Sequence, residues 1–356
     1  MHIVTAASDN SSTDPQARPH APRHAPRATR MMHVLNGDAT REKMERSEIP
    51  GTLAVWADVL HEGPVPADLD DDQLREVRAR FGASRGWGSY DDMLAYLRSW
   101  DEGLDTYADY EEVVLWFEHD LFDQLALIRH LDWFARRDLG DTALSLICIG
   151  EFGGVEPFHG LGQLTPNQLA SLLDTRERVT VRQIELARRA WKAFRSADPA
   201  SIVRVLERDT APLPFLAGAL RRFLEEYPSV RSGLPRTERQ ILELLSRGIT
   251  SPVELFRAAQ PLEEGVFMGD WTFWTRLEEL ARGPHPLVEL SAPLPRESLP
   301  AGTVTLTDSG RRVLAGEADW IALDGIDRWL GGVHLEGHAV PWRWNADAAR
   351  LEPSAR

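Results

Sequence analysis

The chain has 356 residues, 43% of them hydrophobic and 27% charged, enough to bury two or three cores and too apolar for a mostly disordered protein. Its net charge of −15 disfavours loose electrostatic attachment to nucleic acid or to an anionic membrane surface. No apolar stretch approaches the roughly 18 to 20 residues needed to span a bilayer, and the lone cysteine, Cys148, leaves no intrachain disulfide to form and points to a reducing, cytoplasmic setting.

Residues 1–30 carry the repeats His20-Ala21-Pro22-Arg23 and His24-Ala25-Pro26-Arg27 and almost no large apolar side chains. Such a segment cannot offset its ordering entropy, so a disordered extension is expected. Met31-Met32 directly precede the first apolar run and offer an alternative start of translation. From there to Ile149, short apolar runs alternate with amphipathic segments, the pattern of a layered βα domain. Strands are predicted at Met32 to Leu35, Leu53 to Trp56, Glu112 to Phe117 and Ala143 to Ile149. Helices are predicted at Thr40 to Ser47, capped by Asp38 or Thr40, at Asp70 to Phe81, at Ser89 to Trp100 and at Phe122 to Arg136. The expectation is an α/β, Rossmann-like open sheet with helices on both faces over residues 31–159. Cys148, inside the last strand, is read as a buried structural thiol.

Residues 160–232 are helical in pattern, with Thr165-Pro166 as an N-cap followed by proline at the first helical position. Further helices are expected at Val179 to Phe194, Pro199 to Glu207 and Leu213 to Glu226. Residues 233–345 place three helices (Thr237 to Ser246, Ser251 to Ala259, Met268 to Arg282) before two short strands (Leu287 to Leu290, Thr303 to Leu306) and a final helix from Thr307. That order resembles a winged helix-turn-helix. Residues 346–356 are read as a disordered tail. Between Pro235 and Asn345 there are 16 acidic residues against 11 arginines and no lysine, a net of 11 − 16 = −5. A phosphate-reading surface needs the opposite balance, so DNA contact is disfavoured, and Trp271, Trp274 and Leu277 on one face of the third helix are read as core.

The chemistry-bearing residues follow the strands. The first run stops at Asn36-Gly37-Asp38, the second runs into Asp58 and His61-Glu62-Gly63-Pro64, and the third ends at Glu118-His119-Asp120. The carboxyl ends of parallel strands face one crevice, so these tips are expected to line a shared pocket. Asn36 and Gly37 in a tight strand-to-helix turn suit an anionic ligand, although Asn-Gly-Asp is also ordinary turn chemistry. Two imidazoles with several carboxylates make a composition able to hold a divalent metal or to move protons, and a helix cap at Asp120 is the competing reading. Asp38, Asp58, His61, Glu118, His119 and Asp120 are the candidate catalytic residues. Glu156 and His159 are weaker candidates past the fourth strand. No Gly-rich dinucleotide fingerprint or P-loop lysine motif is present.

The combination His33-x-x-Asn36-Gly37-Asp38, Trp56-x-Asp58-x-Leu60-x-x-Gly63-Pro64 and Trp116-Phe117 with Asp120 and Gln124 resembles the bacterial family catalogued as domain of unknown function 1835. The match spans roughly Met32 to Ile149, and the later helical region with Leu306 to Leu335 is similar to what accompanies that domain. The resemblance implies domain limits and weight on these positions, and it favours Met31 or Met32 as the beginning. It brings no activity. Together with position at the strand tips, it marks His33, Asn36, Gly37, Glu62, Gly63 and Gln124 as candidate ligand-binding residues. The expected partner is a small molecule, phosphorylated or nucleotide-like, bound by a hydrolase or transferase. The alternative is a ligand-sensing regulator that uses the C-terminal module.

Overall fold

The computed structural model describes residues 30–295 and 298–354. Of the extension of residues 1–30 expected to be disordered, positions 1–29 lie outside the described residues, as do positions 355–356. The central sheet has five strands: β1 (Met31–Leu35), β2 (Thr52–Val55), β4 (Glu112–Glu118), β5 (Ala143–Ile149) and β6 (Glu177–Arg178). The short β3 (Gly63–Pro64) pairs elsewhere. The order is β2-β1-β4-β5-β6, with the first four strands parallel and β6 antiparallel at the edge. The chain therefore steps outward from β1 to β2 and returns to the other side of β1 with β4. The order in which strands are added thus reverses between β1 and β4, and such a switch point opens a crevice at the carboxyl ends.

Alternation along β1 and β4 sends Met32, Val34, Val113, Leu115 and Phe117 to one face and Leu35, Val114 and Trp116 to the other. Both faces are covered, which is why the strands read as continuous apolar runs. The helices of the first half are α1 (Asp38–Met44), α2 (Asp71–Ser84), α3 (Tyr90–Asp105) and α4 (Leu121–Ala135). Asp70, Ser89 and Asp120 each cap the following helix through a side-chain oxygen that accepts the N3 backbone N–H. At α1 the cap position is Gly37, with no side-chain cap, so neither Asp38 nor Thr40 fills the role expected of it. Helix α4 is apolar nearly all round because it is roofed by other helices. These belong to the next group: α5 (Pro166–Leu172), α6 (Val181–Phe194), α7 (Ala200–Leu206) and α8 (Leu216–Leu224), of which α6 and α8 pack on α4. Thr165 and Thr180 form capping boxes with Gln168 and Gln183.

The C-terminal part contains α9 (Arg236–Ser246), α10 (Pro252–Ala259), α11 (Asp270–Leu280), the antiparallel pair β7 (Val288–Leu290) and β8 (Val304–Leu306), α12 (Asp308–Ala315) and α13 (Trp320–Asp324). Two features here differ from expectation. Strands β9 (Ile326–Gly331) and β10 (Val333–Gly337) form a hairpin whose first strand pairs in parallel with β3, so the C-terminal part is stitched by backbone hydrogen bonds to the first half. The expected disordered tail instead contains β12 (Arg350–Pro353), antiparallel to β11 (Trp342–Asn345). Trp344 and Leu351 are cross-strand partners and both turn toward the core, which supplies apolar burial that the tail's composition alone did not suggest. Helix α11 buries Phe273, Trp274 and Leu277, whereas Trp271, expected in the core, is 39% exposed.

Gly63, marked as ligand-binding, has φ +75°, and a Cβ there would lie 2.5 Å from the Phe81 ring. Its role in the fold is to let β3 pass that ring. Gly63→Ala is expected to destabilise by about 1–3 kcal/mol through strain and overpacking. A urea midpoint equal to that of the parent would contradict this.

Candidate functional site

The tips of β1 and β4 meet at the switch point. Leu35 pairs with Trp116, so Asn36, one residue past β1, falls beside the end of β4. Its Nδ2 donates to Asp123 Oδ2 at 2.7 Å and lies 3.5 Å from Glu118 Oε1. Asp123 Oδ1 accepts the backbone N–H of Glu118 at 2.9 Å, and Asp120 Oδ1 accepts that of Asp123 at 3.1 Å. Glu118 Oε1 takes the Leu161 N–H at 2.5 Å from the segment that follows β5. A ligating oxygen from each of Glu118, Asp120 and Asp123 lies within 4.8 Å of the others, and all three side chains are buried.

Three carboxylates this close cannot all stay ionised without a counter-charge. Burial, reinforced by the Asp120 charge, pushes Glu118 up to about 8. Burial likewise pushes Asp120 up to about 7, and burial with its two acidic neighbours holds Asp123 well above the usual carboxylate range. The cluster therefore holds protons near neutrality or exchanges them for a cation. A hard divalent ion with oxygen ligands fits this donor set. The pH consequence has a definite sign. Glu118 sits at about 8 in the folded chain against the ordinary 4.5 of an unfolded glutamate, so the folded state binds more protons than the unfolded one between those values. Its contribution to stability is complete below about 4.5 and is lost as pH rises toward about 8. Glu118→Gln is expected to stabilise the protein relative to the parent increasingly across that window, as read from denaturant midpoints. A pH-independent difference would contradict it.

A cavity of about 380 Å³ opens beside this centre, lined by His119, Asp120, Phe215, Arg221, Arg222, Arg236 and Glu264 among others. His119 stands between Phe158 and Phe215. Burial lowers its pKa, so the imidazole is neutral at neutral pH, and its Nδ1 has no hydrogen-bond partner among the described residues. Arg222 is locked by Glu226 and Glu263, and Arg236 by Glu225 and Glu264. Arg221 is exposed at the rim and forms no ion pair among the described residues.

The remaining residues of the expected shared pocket are elsewhere. Asp58 takes both arms of Arg78 at 2.7 and 2.9 Å. His61 lies between Phe122 and Phe267 and lines a different cavity, while Glu62 pairs with buried Arg276. The tip of β2 flanks the other side of β1, with Val55 opposite Leu35, and the chain beyond it carries Asp58 and His61 away from the carboxylate cluster. Asp38 faces solvent and pairs with Arg41 at 3.0 Å. His33 is fully buried, its Nε2 on the Pro50 carbonyl at 3.0 Å and its Nδ1 accepting from Trp116 Nε1 at 3.1 Å. Gln124 Nε2 donates to the Glu118 carbonyl at 2.6 Å and so fixes the end of β4 without entering the cavity lining. Gly37 has extended backbone and open space around its Cβ position. Glu156 and His159 do not join the carboxylate cluster. Asp123 went unmarked in the sequence. The signal was present, since an acid at N3 of a helix whose N-cap is also acidic points back toward that cap.

No family model matches this chain, and no curated protein matches it either. Among the described residues, no helix is long and apolar enough to cross a membrane.

Proposed function

We propose that the protein is a divalent-cation-dependent hydrolase or transferase acting on a small phosphorylated or nucleotide-like substrate at the β1–β4 crevice. The observation that carries this reading is the buried triad of Glu118, Asp120 and Asp123 opening on a cavity lined by His119 and by Arg221, which has no ion pair among the described residues. In this reading the three carboxylates hold the cation, Asn36 orients Asp123, and Arg221 meets the anionic group. The bound cation would polarise a phosphoryl or carbonyl oxygen. Neutral His119, on the wall of that cavity, takes the proton of the attacking water or hydroxyl. The expectation of one crevice including Asp58 and His61 is not part of the reading. The resemblance to the family catalogued as domain of unknown function 1835 agrees with it at Asn36 and Asp120 and supplies no chemistry.

The test is a screen of phosphomonoesters and nucleotides with magnesium or manganese. Turnover should require the metal, and His119→Ala should lower kcat by about 100-fold or more. Activity that survives chelation would overturn the metal-dependent form.

The alternative of a DNA-contacting regulator draws on the winged-helix-like order of α9 to β8. What weighs against it is Arg276, the one basic residue of α11, which is buried among Glu62, Glu238 and Glu279. We read this module as an internal packing unit.

A further inference from the structure

We propose, on the reading of the carboxylate cavity as the substrate site, that Gly218 of α8 sets its specificity: the side chain it lacks leaves room for a flat apolar ring joined to the phosphoryl group, which makes the substrate an aryl or heteroaryl phosphate.

Glycine weakens a helix relative to any other residue but proline, so its presence within α8 calls for a cause. Among the described α-helices the other glycines have one in packing. A side-chain carbon at Gly82 would press on Met93, one at Gly310 on the Leu287 carbonyl, and one at Gly103 would touch Ala54. At Gly218 the backbone is helical, the residue is exposed, and a Cβ would meet nothing within 4 Å. Neither conformation nor packing requires glycine there.

The cavity supplies the cause. Phe215, Gly218, Ala219, Arg221, Arg222 and Glu225 line it, and at 3.6 residues per turn they form one arc of α8 with Gly218 and Arg222 near its middle. The opposite face buries Leu216, Leu220, Phe223 and Leu224. A side chain at 218 would therefore project into the cavity rather than into the core. Arg222 already has partners in Glu226 and Glu263, so the open stretch of the arc is Gly218 itself.

The neighbours of Gly218 define what lies over it. Arg221, proposed to meet the anionic group, stands about one turn past it, and Phe215 stands about one turn before it. A phosphoryl group at Arg221 thus places the next ~5 Å of the molecule over Gly218. Leu121, Pro214, Phe215 and Ala219 make that end of the wall apolar, and the half-buried Phe215 ring offers a planar partner. A ring attached directly to the phosphoryl group spans this distance, and a polar chain would leave the apolar wall uncovered.

The closing experiment is calorimetric titration of the full chain, first with manganese and then, manganese-loaded, with phenylphosphonate and methylphosphonate, two non-hydrolysable analogues that differ in the ring alone. Phenylphosphonate should bind about tenfold more tightly. Gly218→Leu should bind the two equally, while its urea midpoint stays at or above that of the parent, because leucine is the better helix former and enters open space. Gly218→Gln carries the same two expectations, and decides if the leucine variant fails to fold. With manganese bound, equal affinities for the two phosphonates in the parent, binding of neither, a preference that survives in a folded variant, or midpoints of both variants below that of the parent would overturn the role of Gly218 alone. Absence of manganese binding would overturn the reading of the carboxylate centre and this role with it.

Discussion

Replacing Arg276 with alanine is expected to lower the unfolding free energy by about 3–5 kcal/mol, the usual cost of removing one member of a buried ion-pair network. Its guanidinium is 2% exposed and is paired with Glu62 from the first half of the chain, with Glu279 at 3.0 Å and with Glu238 at 3.8 Å. Arg328 of β9 closes the network through Glu238 at 2.6 Å and Glu279 at 2.9 Å. Removing Arg276 strands Glu62, whose pKa burial already raises. It also loosens the junction where β9 pairs with β3, so the urea transition should broaden as well as shift. A loss below about 1 kcal/mol, typical of an exposed pair, would contradict this account.

Replacing Asp123 with alanine is the second large effect expected. It removes one of three ligating carboxylates and also the acceptor that fixes Asn36 at 2.7 Å. Even an outer-shell substitution at a metal centre commonly costs 10–100-fold in affinity. Cation affinity in Asp123→Ala should therefore fall by at least about 100-fold. Stability at alkaline pH should rise at the same time, because one of the mutually repelling buried acids is gone. A stabilised variant with unchanged cation affinity would separate the electrostatic claim from the metal claim and sink the latter.

Much of the first half was legible because its signals are local. The four apolar runs became strands within a residue or two of their expected limits, and Ser89 and Thr165 cap helices as their types and positions imply. What failed depends on long-range order. The tips of β2 and β4 both flank the end of β1, and which of them turns its polar residues toward Asn36 depends on the path of the chain beyond each strand, which leaves no mark on hydrophobic period. Asp58 and His61 were therefore placed in a crevice they do not enter. Strand β9 was missed because Arg328 occupies an inward position, where an ion-pair network rather than an apolar side chain fills the space. Its partner β3 is two residues long and has no period to read. At Asp120 the cap reading and the site reading both apply to one side chain: one oxygen caps α4, and the carboxylate also lines the cavity.

The most direct test of the carboxylate centre is calorimetric titration of the full chain with manganese near neutral pH, in two buffers of different ionisation heat. The account predicts about one ion per chain with net release of protons, because carboxyls held at about 8 and about 7 must give them up to the cation. It also predicts loss of the signal in Asp123→Ala. Binding with no buffer dependence, or equal binding by the variant, would contradict it.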